Sequence, residues 1–148
     1  MTPRKINPPH YFLLALVVMV GLRLLGDGDS LFGAWSYVGV VPVAAGVMIA
    51  MLAARQFARA GTNIIPLTTS TALVDTGMFA RTRNPMYLGM TTVLVGAALL
   101  LDRPLPWLVV PVFVMILRLR FIRHEERLME ATFGAAYTTY KQHVRRWV

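Results

Sequence analysis

Four apolar runs that approach or exceed eighteen residues, in a chain of only 148, leave little choice of architecture. A helix of about 20 apolar residues crosses the hydrocarbon core of a bilayer, whereas a soluble domain of this size shows amphipathic periodicity instead. The runs predict an all-α membrane protein, a single integral membrane domain over 1–148. Four transmembrane helices are expected, at about 9–26, 32–54, 85–101 and 105–123. The third run is the shortest: Pro85 to Leu101 is seventeen residues, about 26 Å at helical rise and barely enough to cross. The fourth continues without a breaker from Leu117 into the charged stretch Arg118 to Arg127, so it reads as one helix leaving the bilayer into water, kinked at Pro111. Pro42 is expected to kink the second span, and Gly39 and Gly46 to allow close helix contact.

The charge pattern orients these spans. Fifteen Lys and Arg stand against seven acids although 56% of the chain is hydrophobic. Arg4, Lys5, Arg55, Arg59, Arg81, Arg83 and the basic C-terminal segment fall on one side of the four spans. Asp27, Asp29, Asp102 and Arg103 fall on the other. By the positive-inside rule both termini and the loop 55–84 face the cytoplasm of an inner (cell) membrane. Orientation and contact with anionic lipid account for the basic excess, and no interleaved basic and aromatic face points to nucleic acid. The basic start Met1 to Lys5 precedes an apolar run without a small-residue cleavage pattern after it, so the run reads as a retained span. The chain lacks cysteine, and His10, His124 and His143 have no metal-ligand spacing, so no metal site is expected.

The long polar loop is the first place to look for function. Thr62, Asn63, Thr68 to Thr71, Asp75, Thr76 and Thr82 are too polar for lipid, yet Ile64, Ile65, Leu67, Leu73, Val74, Met78 and Phe79 are interspersed among them. A loop longer than about 12–15 residues is usually functional or disordered, and the apolar residues favour a packed one. It ends at Arg83-Asn84-Pro85-Met86-Tyr87-Leu88-Gly89. Asn84 suits a helix N-cap and Pro85 the first helical position. The free N–H groups of that helix start, beside Arg81 and Arg83, suit an anionic group.

Glu125 and Glu126 project about 100° apart on their helix and can take different roles. Spacing alone also fits simpler readings. Asn84-Pro85 is an ordinary helix start, Tyr87 an interfacial belt residue, and Arg123 to Arg127 a solvated helix end. Phe133, Tyr137 and Tyr140 fit one side of a C-terminal amphipathic helix lying on the membrane better than a catalytic tyrosine. His124 is a base or a solvated side chain.

The ordered series Gly77-Met78-Phe79-Ala80-Arg81-Thr82-Arg83-Asn84-Pro85-Met86-Tyr87-Leu88-Gly89, then Glu125-Glu126-Arg127-Leu128, then Phe133-Gly134-Ala135-Ala136-Tyr137-Thr138-Thr139-Tyr140, resembles the isoprenylcysteine carboxyl methyltransferase and phospholipid methyltransferase superfamily. The resemblance covers about Gly61 to Trp147 and implies an integral membrane enzyme that uses S-adenosylmethionine in a cytoplasmic pocket. It implies cofactor contacts for Gly77, Arg83, Asn84, Pro85, Tyr87, Gly89, Glu125 and Glu126, with Arg83, Glu125 and Glu126 nearest the chemistry. Arg118, Arg123 and His124 are the expected substrate contacts, in a cytoplasmic segment 124–148 and the helix end before it. The expected substrate is a lipid or lipophilic small molecule arriving between spans three and four, where Gly89 and Gly96 thin the wall. Two departures stand out. Asn84 takes the place of the histidine of eukaryotic prenylcysteine enzymes, and Met78-Phe79-Ala80 that of the Pro-Tyr-Arg common in bacterial relatives. Carboxyl O-methylation, phospholipid N-methylation and thiol S-methylation all remain open. So does a non-catalytic membrane adaptor, whereas a transporter is disfavoured by the lack of ionisable residues at mid-span.

Overall fold

The computed structural model describes residues 7–26, 29–61 and 73–148, all of them helical, turn or irregular. Thr62, Asn63, Ile64, Ile65, Leu67 and Thr68 to Thr71 of the polar loop, Asp27 of the acidic turn, and Met1 to Lys5 lie outside the described residues. Helix α1 runs Pro8–Leu25, a 3-10 segment Gly33–Gly39 leads into α2, Val40–Arg59, and a 3-10 turn Gly77–Ala80 precedes α3, Pro85–Leu101. A nearly continuous helical rod follows: α4 (Pro104–Trp107), α5 (Val109–Ile116), a π-helical segment Leu117–Ile122, and α6 (Arg123–Phe133). Helix α7, Ala135–His143, closes the chain.

Three of these helices are long and apolar enough to cross a membrane: Pro8–Leu25, Gly33–Arg59 and Pro104–Phe133. Helix α3 is apolar but has seventeen residues. Pro42 falls in the first turn of α2, just after the change from the 3-10 segment Gly33–Gly39 to α-helix at Val40. Pro111 does interrupt the rod. It cannot donate to the carbonyl four residues back, at Trp107, and the break between α4 and α5 falls at Leu108.

Helices α2 and α3 pack antiparallel on paired glycines. A Cβ on Gly39 would lie 2.5 Å from the Gly96 carbonyl oxygen, and one on Gly46 2.5 Å from that of Gly89. Backbones this close gain dispersion contact that no larger residue permits. Gly39 and Gly46 thus act as expected. The Cβ positions of Gly89 and Gly96 point at Gly46 and Ala50 and at Gly39 and Val43, so these glycines bring α3 close to the preceding helical segment and do not thin a wall toward the fourth span.

The buried core joins α1 to α3 and the rod through Ala15, Met19, Tyr87, Leu94, Ala98, Phe113, Leu117, Phe121 and Ile122. Outward, α1 and α2 expose Leu13, Leu14, Val17, Leu24, Val41 and Met48, a continuous apolar surface of the kind lipid covers.

Contacts at each end show how the helices of the bundle alternate. At one end Gly26 meets Leu105, and Asp102, in the left-handed conformation at φ 52°, accepts the amides of Leu31, Phe32 and Gly33 at 3.0, 2.7 and 3.1 Å and the Ser30 hydroxyl. At the other end Arg120 donates to the Tyr11 hydroxyl at 3.0 Å, and α2 reaches the turn before α3. That second end carries Arg55, Arg59, Arg81, Arg83 and both glutamates.

Candidate functional site

The site is built where the turn 77–84 enters α3. Gly77, at φ +59°, makes a bend that other residues rarely adopt. The side chain of Gln56 lies directly over it, its Oε1 accepting the Met78 N–H at 3.1 Å. Phe79 is buried edge-on against Phe57, with ring centroids 4.7 Å apart. The end of α2 therefore fixes the turn, and the turn fixes where Arg83 and Asn84 emerge.

Asn84 occupies the N-cap position of α3 and Pro85 the first turn, as expected, but the Asn84 side chain makes no capping bond. It donates from Nδ2 to the Arg146 carbonyl at 3.0 Å, which also accepts the Thr82 hydroxyl at 3.2 Å. The Arg83 N–H donates to the Arg145 carbonyl at 2.9 Å. Thr82 and Asn84 are buried, and so is Pro85. A buried amide is stabilised by whichever acceptor completes it, and here the chain end supplies one that the helix terminus does not need.

One turn into α3, the Tyr87 hydroxyl donates to Glu125 Oε1 at 2.7 Å. Next along α6, Glu126 receives both nitrogens of a guanidinium fork: Arg146 Nε to Oε1 at 2.9 Å and Nη2 to Oε2 at 2.7 Å. Arg83 Nη1 lies 3.0 Å from Glu126 Oε1, an ion pair whose N–H is not directed at the oxygen, and Arg83 Nε and Nη1 are both buried without a hydrogen-bond acceptor. The side chains of Arg83 and Glu126 are each 11% exposed. The two carboxylates thus take different partners, as their angular separation predicts. The π-helical segment just before them shifts the register of the rod, a departure that short π segments frequently make at functional sites.

Helix α7 packs over this junction. Tyr137 is buried, and burial together with the Glu126 charge pushes its hydroxyl up to about 12. The Tyr140 hydroxyl donates to the Phe79 carbonyl at 2.6 Å, and burial raises it as well. The hydrogen bonds to Glu126 hold Arg146 more firmly protonated than a free arginine. The two tyrosines therefore seat α7 on the turn 77–80. A cleft of about 540 Å³ opens between this helix and the turn, lined by Leu73, Asp75, Ala80, Thr139, Tyr140 and His143 among others.

Of the residues singled out in the sequence, Arg83, Asn84, Pro85, Tyr87, Glu125 and Glu126 come together, with Gly77 shaping the approach. Gly89 faces α2. Arg118, Arg123 and His124 are exposed and stand outside the network. Four participants escaped the sequence reading: Gln56, Thr82, Arg145 and Arg146. The one available signal for Arg146 was the need of a burying carboxylate for a cation, with a surplus of arginines to choose from.

The family pattern described as phospholipid methyltransferase matches residues 35–136, which include the junction, the glutamate pair and the start of α7. An uncharacterized protein of Haemophilus influenzae is 40% identical over 63 residues, 43% of this chain and all of that one. Among solved structures, the eukaryotic intramembrane Ras methyltransferase ICMT (isoprenylcysteine carboxyl methyltransferase) superposes with a TM-score of 0.72 at 21% identity, over 97% of this chain and 56% of the other. That likeness is one of fold, and the chain spans little more than half the length of this neighbour. A family match across most of the chain, carried on the fold of an intramembrane methyltransferase, is decisive: the chain belongs to the phospholipid methyltransferase family.

Proposed function

We propose that this protein moves a methyl group from S-adenosylmethionine to a lipophilic acceptor at the cytoplasmic face of the cell membrane. It sits there in four spans with both termini inside. The observation that carries the reading is the double bridge from the start of α3 to α6, Tyr87 to Glu125 and Arg83 to Glu126, in a member of a methyltransferase family. The amino-acid end of the cofactor has one carboxylate and one ammonium. Arg83 has buried N–H groups in want of an acceptor, which fits the carboxylate. Glu125, held by Tyr87, fits the ammonium or the ribose hydroxyls.

When bound, the cofactor supplies an electrophilic methyl on a sulfonium. The residues of the chain bind, orient and exclude water, since an in-line displacement needs alignment above all. Tyr87 fixes the Glu125 carboxyl, Glu126 holds Arg83 at the pocket wall, and α7 covers the junction. The exposed Arg118, Arg123 and His124 at the membrane edge suit an anionic acceptor group or headgroup.

The acceptor most in keeping with this arginine-rich rim is a carboxylate, as in isoprenylcysteine carboxyl O-methylation, which requires no proton transfer. A second reading, N-methylation of a phosphatidylethanolamine-type lipid, is favoured by the family match and would use Glu125 as proton acceptor. A small thiol would make the same demand for a base. The test is equilibrium binding of labelled S-adenosylmethionine to the detergent-purified protein, with Glu125→Gln and Arg83→Gln beside the wild type. Saturable binding weakened in both variants supports the reading. No binding by the wild type would move the protein to the class of membrane adaptors.

A further inference from the structure

The chain end beyond α7 lies outside the residues that the family pattern matches, yet it is built into the site. Three hydrogen bonds hold its backbone: the Arg145 carbonyl takes the Arg83 N–H, and the Arg146 carbonyl takes Asn84 Nδ2 and the Thr82 hydroxyl. Val144 is buried, and Trp147 packs against the core. So placed, Arg146 spends its fork on both oxygens of Glu126.

This arrangement decides what is left for Arg83. A carboxylate binds one arginine best through two parallel N–H bonds, and Arg146 has taken that geometry. Arg83 keeps an off-axis ion pair with Glu126 and lies against the Tyr137 hydroxyl, while its Nε and Nη1 have no hydrogen-bond acceptor. Two arginines face Glu126, and without Arg146 only Arg83 would remain against that carboxylate.

The geometry points to Arg146 as a positioning residue. By saturating Glu126 it prevents Arg83 from closing a forked pair with that carboxylate, and so keeps the Arg83 N–H groups available for the carboxylate of the cofactor. The inference rests on the reading of S-adenosylmethionine as the cofactor. It assigns to the C-terminal residues a part in recognition beyond that of holding α7 down.

The test compares affinities for S-adenosylmethionine and for its decarboxylated form, which keeps the sulfonium, nucleoside and amine. Detergent-purified wild type, Arg146→Gln and the double variant Glu126→Gln/Arg146→Gln are measured. The wild type should prefer the carboxylate-bearing ligand by about tenfold or more, the scale of hydrogen bonds to a charged group. Arg146→Gln should lose that preference with little change toward the decarboxylated ligand. The double variant should regain it, because position 126 then offers Arg83 no carboxylate to pair with.

If Arg146 only holds the fold together, its loss weakens both ligands alike and the double variant restores nothing, which overturns the inference. Should Arg146→Gln not purify as a monodisperse protein, the double variant decides alone: a wild-type preference supports the inference and its absence overturns it. A wild type that binds neither ligand defeats the cofactor reading itself. A wild type that binds both equally defeats the assignment of Arg83 and Arg146 while leaving the cofactor reading in place.

Discussion

The Tyr87 hydroxyl donates to Glu125 Oε1 at 2.7 Å, joining the first turn of α3 to the polar end of the rod across 38 positions of sequence. Tyr87 is buried and part of the core cluster, so this bond ties the candidate site to the packing of the bundle. Removing the hydroxyl takes from Glu125 its hydrogen bond to α3. Tyr87→Phe is expected to lower kcat/KM by about tenfold, the scale of a lost hydrogen bond to a charged or buried group. Steady-state methylation by the variant, at matched folding in detergent, checks this.

The glycine pairs make a prediction about stability alone. Gly46 meets the Gly89 backbone so closely that any side chain must push the helices apart. Gly46→Val should cost about 1–3 kcal/mol by overpacking. Gly21, with nothing within 4 Å of an added Cβ, is the control, and Gly21→Ala should leave the melting temperature in detergent unchanged or slightly raised.

Asp102 gives the opposite end of the molecule an acid sensitivity. The Ser30 hydroxyl, with the amides of Phe32, Gly33 and Leu31, holds its carboxyl below the ordinary range. A folded-state value below the unfolded one means that the contribution is present above about pH 4 and lost as pH falls through the lower folded value. Asp102→Asn should flatten the acid limb of the stability curve, measured by thermal melts between neutral and strongly acidic pH.

Tyr137 has the reverse sign. Its hydroxyl is raised in the folded state to about 12, against about 10 in an unfolded chain. Its contribution to the docking of α7 is thus complete below about pH 10 and lost as pH rises through the folded value. Release of α7 should appear as alkaline-dependent proteolysis near Gly134, and Tyr137→Phe should remove that part of the dependence.

Much of this architecture was legible from hydropathy and glycine spacing. Apolar runs must become helices in lipid, so the three long apolar helices and the Gly39 and Gly46 contacts were readable. The Asn84-Pro85 helix start and the separate partners of Glu125 and Glu126 followed from local geometry. What remained hidden depends on tertiary choice. The Asn84 amide could cap its own helix or reach elsewhere, and only the folded chain end puts the Arg146 carbonyl within 3.0 Å. Arg146 itself reads in sequence as one more cation of a basic tail. Its pairing with Glu126 spans 20 residues and a change of helix direction, which no periodicity encodes. Tyr137 and Tyr140 carry an amphipathic pattern that does not name its partner, and only the folded turn puts the Phe79 carbonyl within 2.6 Å of the Tyr140 hydroxyl. The π-helical register of Leu117–Ile122 has no sequence signal of its own.

The central claim is methyl transfer to a lipophilic acceptor, and product identification tests it most directly. Purified protein is incubated with a membrane lipid extract and methyl-labelled S-adenosylmethionine, and the organic phase is separated before and after mild alkali. The account predicts label in a lipophilic product with wild type and loss of that label with Glu125→Gln; alkali-labile label identifies a methyl ester, and alkali-stable label an N- or S-methyl group. Absence of enzyme-dependent label in any lipid fraction, from protein that is folded and binds the cofactor, would contradict it.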